Sequence, residues 1–166
     1  NSSVFNSSWS SVSTTSSFCS PVDWNKDNIL SYYKFNLKIA HLNINSLWGK
    51  LDELKYLLDL DLFDIFFLAE TKLCSSVNNY LLSHPKYKIY RRDRKKGAGG
   101  LLVYIRISDN FSVIRRKKIE LENIETICLE VKNGNNSWFN ISAFSLSPNL
   151  INPTKFIQDL SRYISI

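Results

Sequence analysis

At 166 residues the chain suits one domain with a real core, and an apolar content of 44%, with Trp, Tyr and Phe well represented, excludes wholesale disorder. No apolar run approaches the roughly 18 residues of a membrane span, and no basic-then-apolar signal peptide opens the chain, so an intracellular protein, nuclear or cytoplasmic and with no membrane partner, is expected. The net charge of +6 is uneven, since residues 86–118 hold 12 Lys and Arg against 2 Asp while the remainder carries 9 against 13 acidic residues.

Residues 1–20 contain ten serines and no apolar periodicity, and 1–36 reads as a poorly ordered leader, with Ile29, Leu30, Tyr32 and Tyr33 as a short helix. No methionine occurs anywhere, position 1 included, which reads as an internal piece of a longer protein. Cys19, Cys74 and Cys128 are odd in number and widely spaced, so neither a disulfide framework nor a zinc site is indicated.

The domain proper, 37–166, begins with a strand from Leu37 to Leu42 that delivers Asn43. Leu47, Leu51, Leu54 and Leu58 recur at helical spacing and mark an amphipathic helix packed on a sheet. Asn45 or Ser46 is the expected cap. The strand from Asp64 to Ala69 delivers Glu70, and its Ile65 to Leu68 stretch is short and uniformly apolar, as a strand buried on both faces should be. Strand, helix and strand form a βαβ-like unit long enough for a parallel crossover.

Further strands are expected at Tyr87–Arg91, Gly100–Ile107, Phe111–Arg116, Ile124–Lys132 and Trp138–Phe144, separated by turn residues. Asn133-Gly134 is the sharpest hairpin signal. A last helix opens at Asn152-Pro153 and carries Phe156, Leu160 and Tyr163 on one face.

Chemistry gathers at the two strand ends. A carboxylate such as Glu70 at the end of an apolar strand needs a cation or hydrogen bonds to offset its desolvation, and Mg²⁺ prefers oxygen ligands of this kind. Its bland rival is a surface Glu paired with Lys72. Asn43 can donate and accept at once and so orient a phosphate; its bland rival is a turn asparagine. His41 shares strand parity with Asn43 and reads as a partly buried structural histidine. Arg91, Arg92, Arg94, Lys95 and Lys96 precede Gly97-Ala-Gly99-Gly100, where glycine lets a backbone approach a phosphate and the cations release counterions. Tyr90 and Tyr104 flank that loop as candidates to pack on sugars or bases. A solvated charged face has the same composition.

Four blocks, Leu42-Asn-Ile-Asn-Ser-Leu47, Asp64-Ile-Phe-Phe-Leu-Ala-Glu-Thr-Lys72, Tyr90-Arg-Arg-Asp-Arg-Lys-Lys-Gly-Ala-Gly-Gly-Leu-Leu-Val-Tyr104 and Glu125-Thr-Ile-Cys-Leu-Glu-Val131, occur in one order. In that order and spacing the chain resembles the endonuclease/exonuclease/phosphatase family, and within it the apurinic-type endonuclease of LINE-like, non-LTR retrotransposons. The resemblance runs from about Leu37 to the end. It implies part of a four-layer, DNase I-like α/β sandwich, catalytic Asn43 and Glu70, and Mg²⁺ or Mn²⁺ held by the same pair. It also implies DNA contacts through Asn45, Lys72, Arg91, Arg92, Arg94, Lys95, Lys96, Gly99, Gly100 and Asn149, indifferent to sequence and made largely to phosphates.

The family's Tyr-Arg-Pro-Pro-Asn stretch is similar to Ser145-Leu-Ser-Pro-Asn149, with Ser145 in place of the Tyr. Its Gly-Asp-x-Asn and Ser-Asp-His segments do not occur in the 166 residues. The resemblance therefore implies the N-terminal part of a domain that nicks target DNA for reverse transcription, with this chain expected to be inactive alone and to self-associate through uncovered sheet. A non-enzymatic nucleic-acid-binding remnant and a phosphatase of phospholipids or inositol phosphates are the alternatives.

Overall fold

In the computed structural model the described residues are 36–94, 97–109, 111–121, 124–133 and 137–145, with Gln158 and Ser161 beyond them. The elements run β1 (Ile39–Asn43), α1 (Leu51–Asp59), β2 (Ile65–Ala69), α2 (Asn79–Leu82), β3 (Tyr87–Arg92), β4 (Leu101–Arg106), β5 (Phe111–Arg115), a 3₁₀ turn (Lys117–Ile119), β6 (Glu125–Asn133) and β7 (Ser137–Ser145). Every strand expected from the sequence is present, with ends shifted by a residue or two. The leader and the short helix near Ile29 lie outside the described residues. Of the last helix only Gln158 and Ser161 are described; both are helical, and the Ser161 hydroxyl donates to the Gln158 carbonyl at 2.8 Å.

Two sheets form. One has the order β1-β2-β4-β3, the other β5-β6-β7. β1 and β2 are parallel, in register from Ile39 beside Ile65 to Asn43 beside Ala69. This is the expected crossover, with α1 as its connection. The pairs β2–β4 and β3–β4 are antiparallel, as are β5–β6 and β6–β7. The protein is thus mixed α/β with two sheets and few helices.

Strand parity divides the core. On one face of the four-stranded sheet Phe66, Leu68, Leu102 and Tyr104 pack with Leu47, Leu54 and Leu58, so the leucine stripe buries as its spacing requires. On the other face Ile65, Phe67, Ala69, Leu101, Val103 and Ile105 meet Ile127, Leu129 and Val131 of β6 and Ala143 of β7. The described elements therefore make three layers: helices, sheet and sheet. Every residue of β2 is buried, which explains why it lacks the alternation of a half-solvated strand. β1, at the edge, alternates instead: Ala40 and Leu42 pack on the helix side, while Ile39, His41 and Asn43 are exposed on the other. Ile39 keeps 46% of its surface in solvent, and the His41 ring on the same face is partly buried, which lowers its pKa.

Two local expectations fail for physical reasons. α1 is not capped by Asn45 or Ser46; it starts after Lys50, with no side-chain cap, because both residues belong to the loop that leaves β1. Tyr104 does not face a ligand. It is fully buried, and its hydroxyl donates to the Leu82 carbonyl at 2.7 Å. Burial raises its pKa well above the usual phenol range. Tyr90 likewise packs against the intersheet core, with Lys88 Nζ 5.1 Å from its ring centre.

Tyr104→Phe leaves the Leu82 carbonyl buried without its donor and should lower stability by about 1–3 kcal/mol. Urea denaturation checks this, with Tyr80→Phe, a residue 80% exposed, as the near-silent control.

Candidate functional site

The parallel pair β1–β2 ends with Asn43 and Glu70 on adjacent chains, since Asn43 is in register with Ala69. Pairing continues past the strands: Ile44 N–H donates to Ala69, Ser46 N–H to Glu70 and Leu47 N–H to Thr71, at 3.0, 2.7 and 2.9 Å. On its other side the same loop is held by Gly99 and Gly100, whose carbonyls accept from Lys72 N–H at 2.7 Å and Thr71 N–H at 3.2 Å. Two loops are thereby bound to a third through their main chains.

That binding holds an unusual backbone. Of the five described non-glycine residues with positive φ, four lie here: Asn45 at 45°, Ser46 at 83°, Glu70 at 56° and Lys72 at 55°. Such conformations each cost on the order of 1 kcal/mol or more and persist only where surroundings over-determine them. They gather at the strand ends that the sequence singled out. No periodicity encodes them, and only the asparagine, the type most tolerant of this region, hints at it.

Asn43 serves first as a turn residue: its Oδ1 accepts from Asn45 N–H at 3.1 Å. The amide group orients accordingly and keeps its Nδ2 hydrogens as donors. Asn45 Oδ1 accepts from Lys72 Nζ at 2.7 Å, and Lys50 Nζ donates to the Ile44 carbonyl at 2.5 Å. Lys72 therefore pairs with Asn45 rather than standing alone. Thr71 is fully buried, and its hydroxyl has no hydrogen-bond partner among the described residues.

Glu70 and Asn43 bring a carboxylate and an amide to the ends of adjacent strands. No group of three or more His, Cys, Asp or Glu able to hold a metal occurs among the described residues.

The basic stretch looks different in three dimensions. Arg91 engages all five of its donors internally: Nε and Nη2 with Asp93, Nη1 with the Val77 carbonyl and Asn79, and Nη2 again with the Cys74 carbonyl. Arg92 donates to the Thr126 and Leu121 carbonyls at 3.1 and 2.8 Å and lies 3.8 Å from Glu120. Arg94 Nε sits 3.1 Å from Glu125. Phosphate-facing guanidiniums were expected at these positions, and internal partners occupy them instead, because the neutralising carboxylates come mostly from outside the segment. Gly99 and Gly100 are buried too, and the backbone they let approach is that of Thr71 and Lys72. Lys95, Lys96 and Asn149 lie outside the described residues.

Sequence reasoning also missed Glu120. Burial alone would raise its pKa, but the Arg115 hydrogen bonds, the Cys128 N–H and the charges of Arg115 and Arg92 outweigh that and hold it below the usual carboxylate value. No family model matches the chain, and a comparison with curated proteins finds no match.

A carboxylate whose folded pKa is depressed gives stability that is present above its unfolded pKa and lost as pH falls through the folded value. Stability should therefore decline as pH drops below about 4.5, the ordinary carboxylate value, and Glu120→Gln should flatten that decline while weakening the protein at pH 7. Urea midpoints measured from pH 7 to 3 check both.

Proposed function

We propose that this chain is the N-terminal part of an endonuclease/exonuclease/phosphatase domain of the non-LTR retrotransposon type, which hydrolyses DNA phosphodiesters with Mg²⁺ or Mn²⁺. The observation that carries the reading is the arrival of Asn43 and Glu70 at the carboxyl ends of adjacent parallel strands, where α/β proteins place their chemistry. The four sequence blocks in order and a two-sheet sandwich with helices outside the larger sheet support it. So does the exposed face of β1, where Ile39 and Asn43 leave room for further sandwich.

In this reading Asn43 donates through Nδ2 to a phosphate oxygen, its orientation set by Asn45 N–H. Glu70 supplies the carboxylate ligand of the metal ion. Bound there, the ion would neutralise charge on the phosphate. Lys72, tied to Asn45, adds positive charge at the rim. The family's Gly-Asp-x-Asn and Ser-Asp-His segments do not occur in the 166 residues, and loss of one member of a cooperating catalytic set costs orders of magnitude.

The test is a plasmid-nicking assay with Mg²⁺ or Mn²⁺. The 166-residue chain should not nick, whereas a longer product of the same reading frame carrying Gly-Asp-x-Asn and Ser-Asp-His segments should. That activity should disappear in Glu70→Ala. Nicking by the longer protein that survives Glu70→Ala would reject the site.

DNA binding by the present chain should be salt-dependent and indifferent to sequence. Changing Lys95 and Lys96 to Ala should weaken every duplex alike. The slope of log affinity against log salt should fall by about 2, near one unit for each phosphate no longer neutralised. Arg91→Ala, by contrast, should mainly lower the unfolding midpoint. Fluorescence anisotropy titrations at several salt concentrations separate the two.

A further inference from the structure

Glu125 opens β6 on the opposite sheet, yet its carboxylate reaches the loop between β3 and β4. Its Oε2 accepts from Gly100 N–H at 2.6 Å, and Oε1 lies 3.1 Å from Arg94 Nε. The side chain is only 10% exposed. A carboxylate so enclosed needs such donors, and a charge-assisted bond to a backbone N–H is among the stronger kinds. The turn is shaped to receive it. Gly99 and Gly100 have φ of +57° and +91°, and a Cβ on Gly99 would overlap the Glu125 carboxylate. One on Gly100 would come within 2.5 Å of Thr71 Oγ1.

The carbonyls of these same two glycines hold Thr71 and Lys72. Glu70 and Thr71 in turn hold Ser46 and Leu47. A continuous path of hydrogen bonds therefore runs from Glu125 through the glycine turn to both strand ends.

We infer that Glu125 is a positioning residue: by fixing the Gly99–Gly100 turn it holds the left-handed loop that presents Glu70, and through it the loop of Asn43. The inference rests on the reading of those strand ends as the site. It assigns a role to a residue that touches neither Asn43 nor Glu70 and belongs to the other sheet.

The test uses the ¹⁵N-labelled 166-residue chain and two measurements: amide hydrogen exchange, and Mn²⁺ binding followed by electron paramagnetic resonance. In Glu125→Ala, exchange at Thr71 and Lys72 should accelerate roughly tenfold or more, as removal of a charged hydrogen-bond partner implies. The amides of Leu54, in α1, and Arg106, at the far end of the sheet, should not change. Glu125→Gln keeps an acceptor for Gly100 N–H and should recover most of the protection. Mn²⁺ affinity should fall in Glu125→Ala as in Glu70→Ala and return in Glu125→Gln.

Unchanged exchange at Thr71 and Lys72 overturns the inference, as does acceleration at all amides alike. If Glu125→Ala does not fold, Glu125→Asp takes its place, since it withdraws the carboxylate by one methylene, and the same selective acceleration is expected. Absence of Mn²⁺ binding in the unmodified protein would reject the metal site alone, and exchange would still decide the role of Glu125.

Discussion

The parallel pairing of β1 with β2 is the constraint on which the rest depends. β2 is paired on both edges and buried on both faces, so its position is fixed by the whole core rather than by one neighbour. Among the described residues β1 has only that one partner, and its register is carried into the loop beyond by Ile44, Ser46 and Leu47. A slip of one residue would move Ala40 and Leu42 off the helix side and expose them. The leucines of α1 hold the register from above, because Leu54 and Leu58 fit against Phe66 and Leu68.

From this arrangement follows the strained backbone at the strand ends. Left-handed Glu70 and Lys72 are tolerable because their neighbours are tied on two sides, to the β1 loop and to the glycine turn. Rigid core beneath and main-chain bonds above give side chains a fixed origin without large side-chain networks. Such pre-organisation suits recognition of a charged group, since little ordering remains to be done on binding.

The strands and the crossover were legible because their signals are local: a solid apolar run for β2, leucines at helical spacing for α1, turn residues between the rest. Asn43 and Glu70 were legible as strand-end polar residues. Three features were not. The cap of α1 was misread because Asn45 and Ser46 look like caps but adopt left-handed conformations dictated by β2. Tyr104 looked like a loop-flanking aromatic, yet β4 is central, and its hydroxyl finds the Leu82 carbonyl 22 residues away. The arginines looked free because Glu120 and Glu125, which satisfy Arg92, Arg115 and Arg94, lie outside the run that holds most of the positive charge. Local composition cannot report a pairing that only the sandwich creates.

That internal pairing decides which charges the protein shows to its surroundings. Long-range steering depends on the summed field that reaches solvent, and a cation beside a carboxylate presents a dipole whose field fades quickly with distance. Arg91, Arg92, Arg94, Arg115 and Arg116 all face Asp or Glu. The field that reaches solvent comes chiefly from the segment's lysines, among them the exposed Lys86, Lys88, Lys117 and Lys118. The positive charge shown to solvent is therefore carried by ammonium groups on the rim, while the guanidiniums keep the frame beneath them in shape.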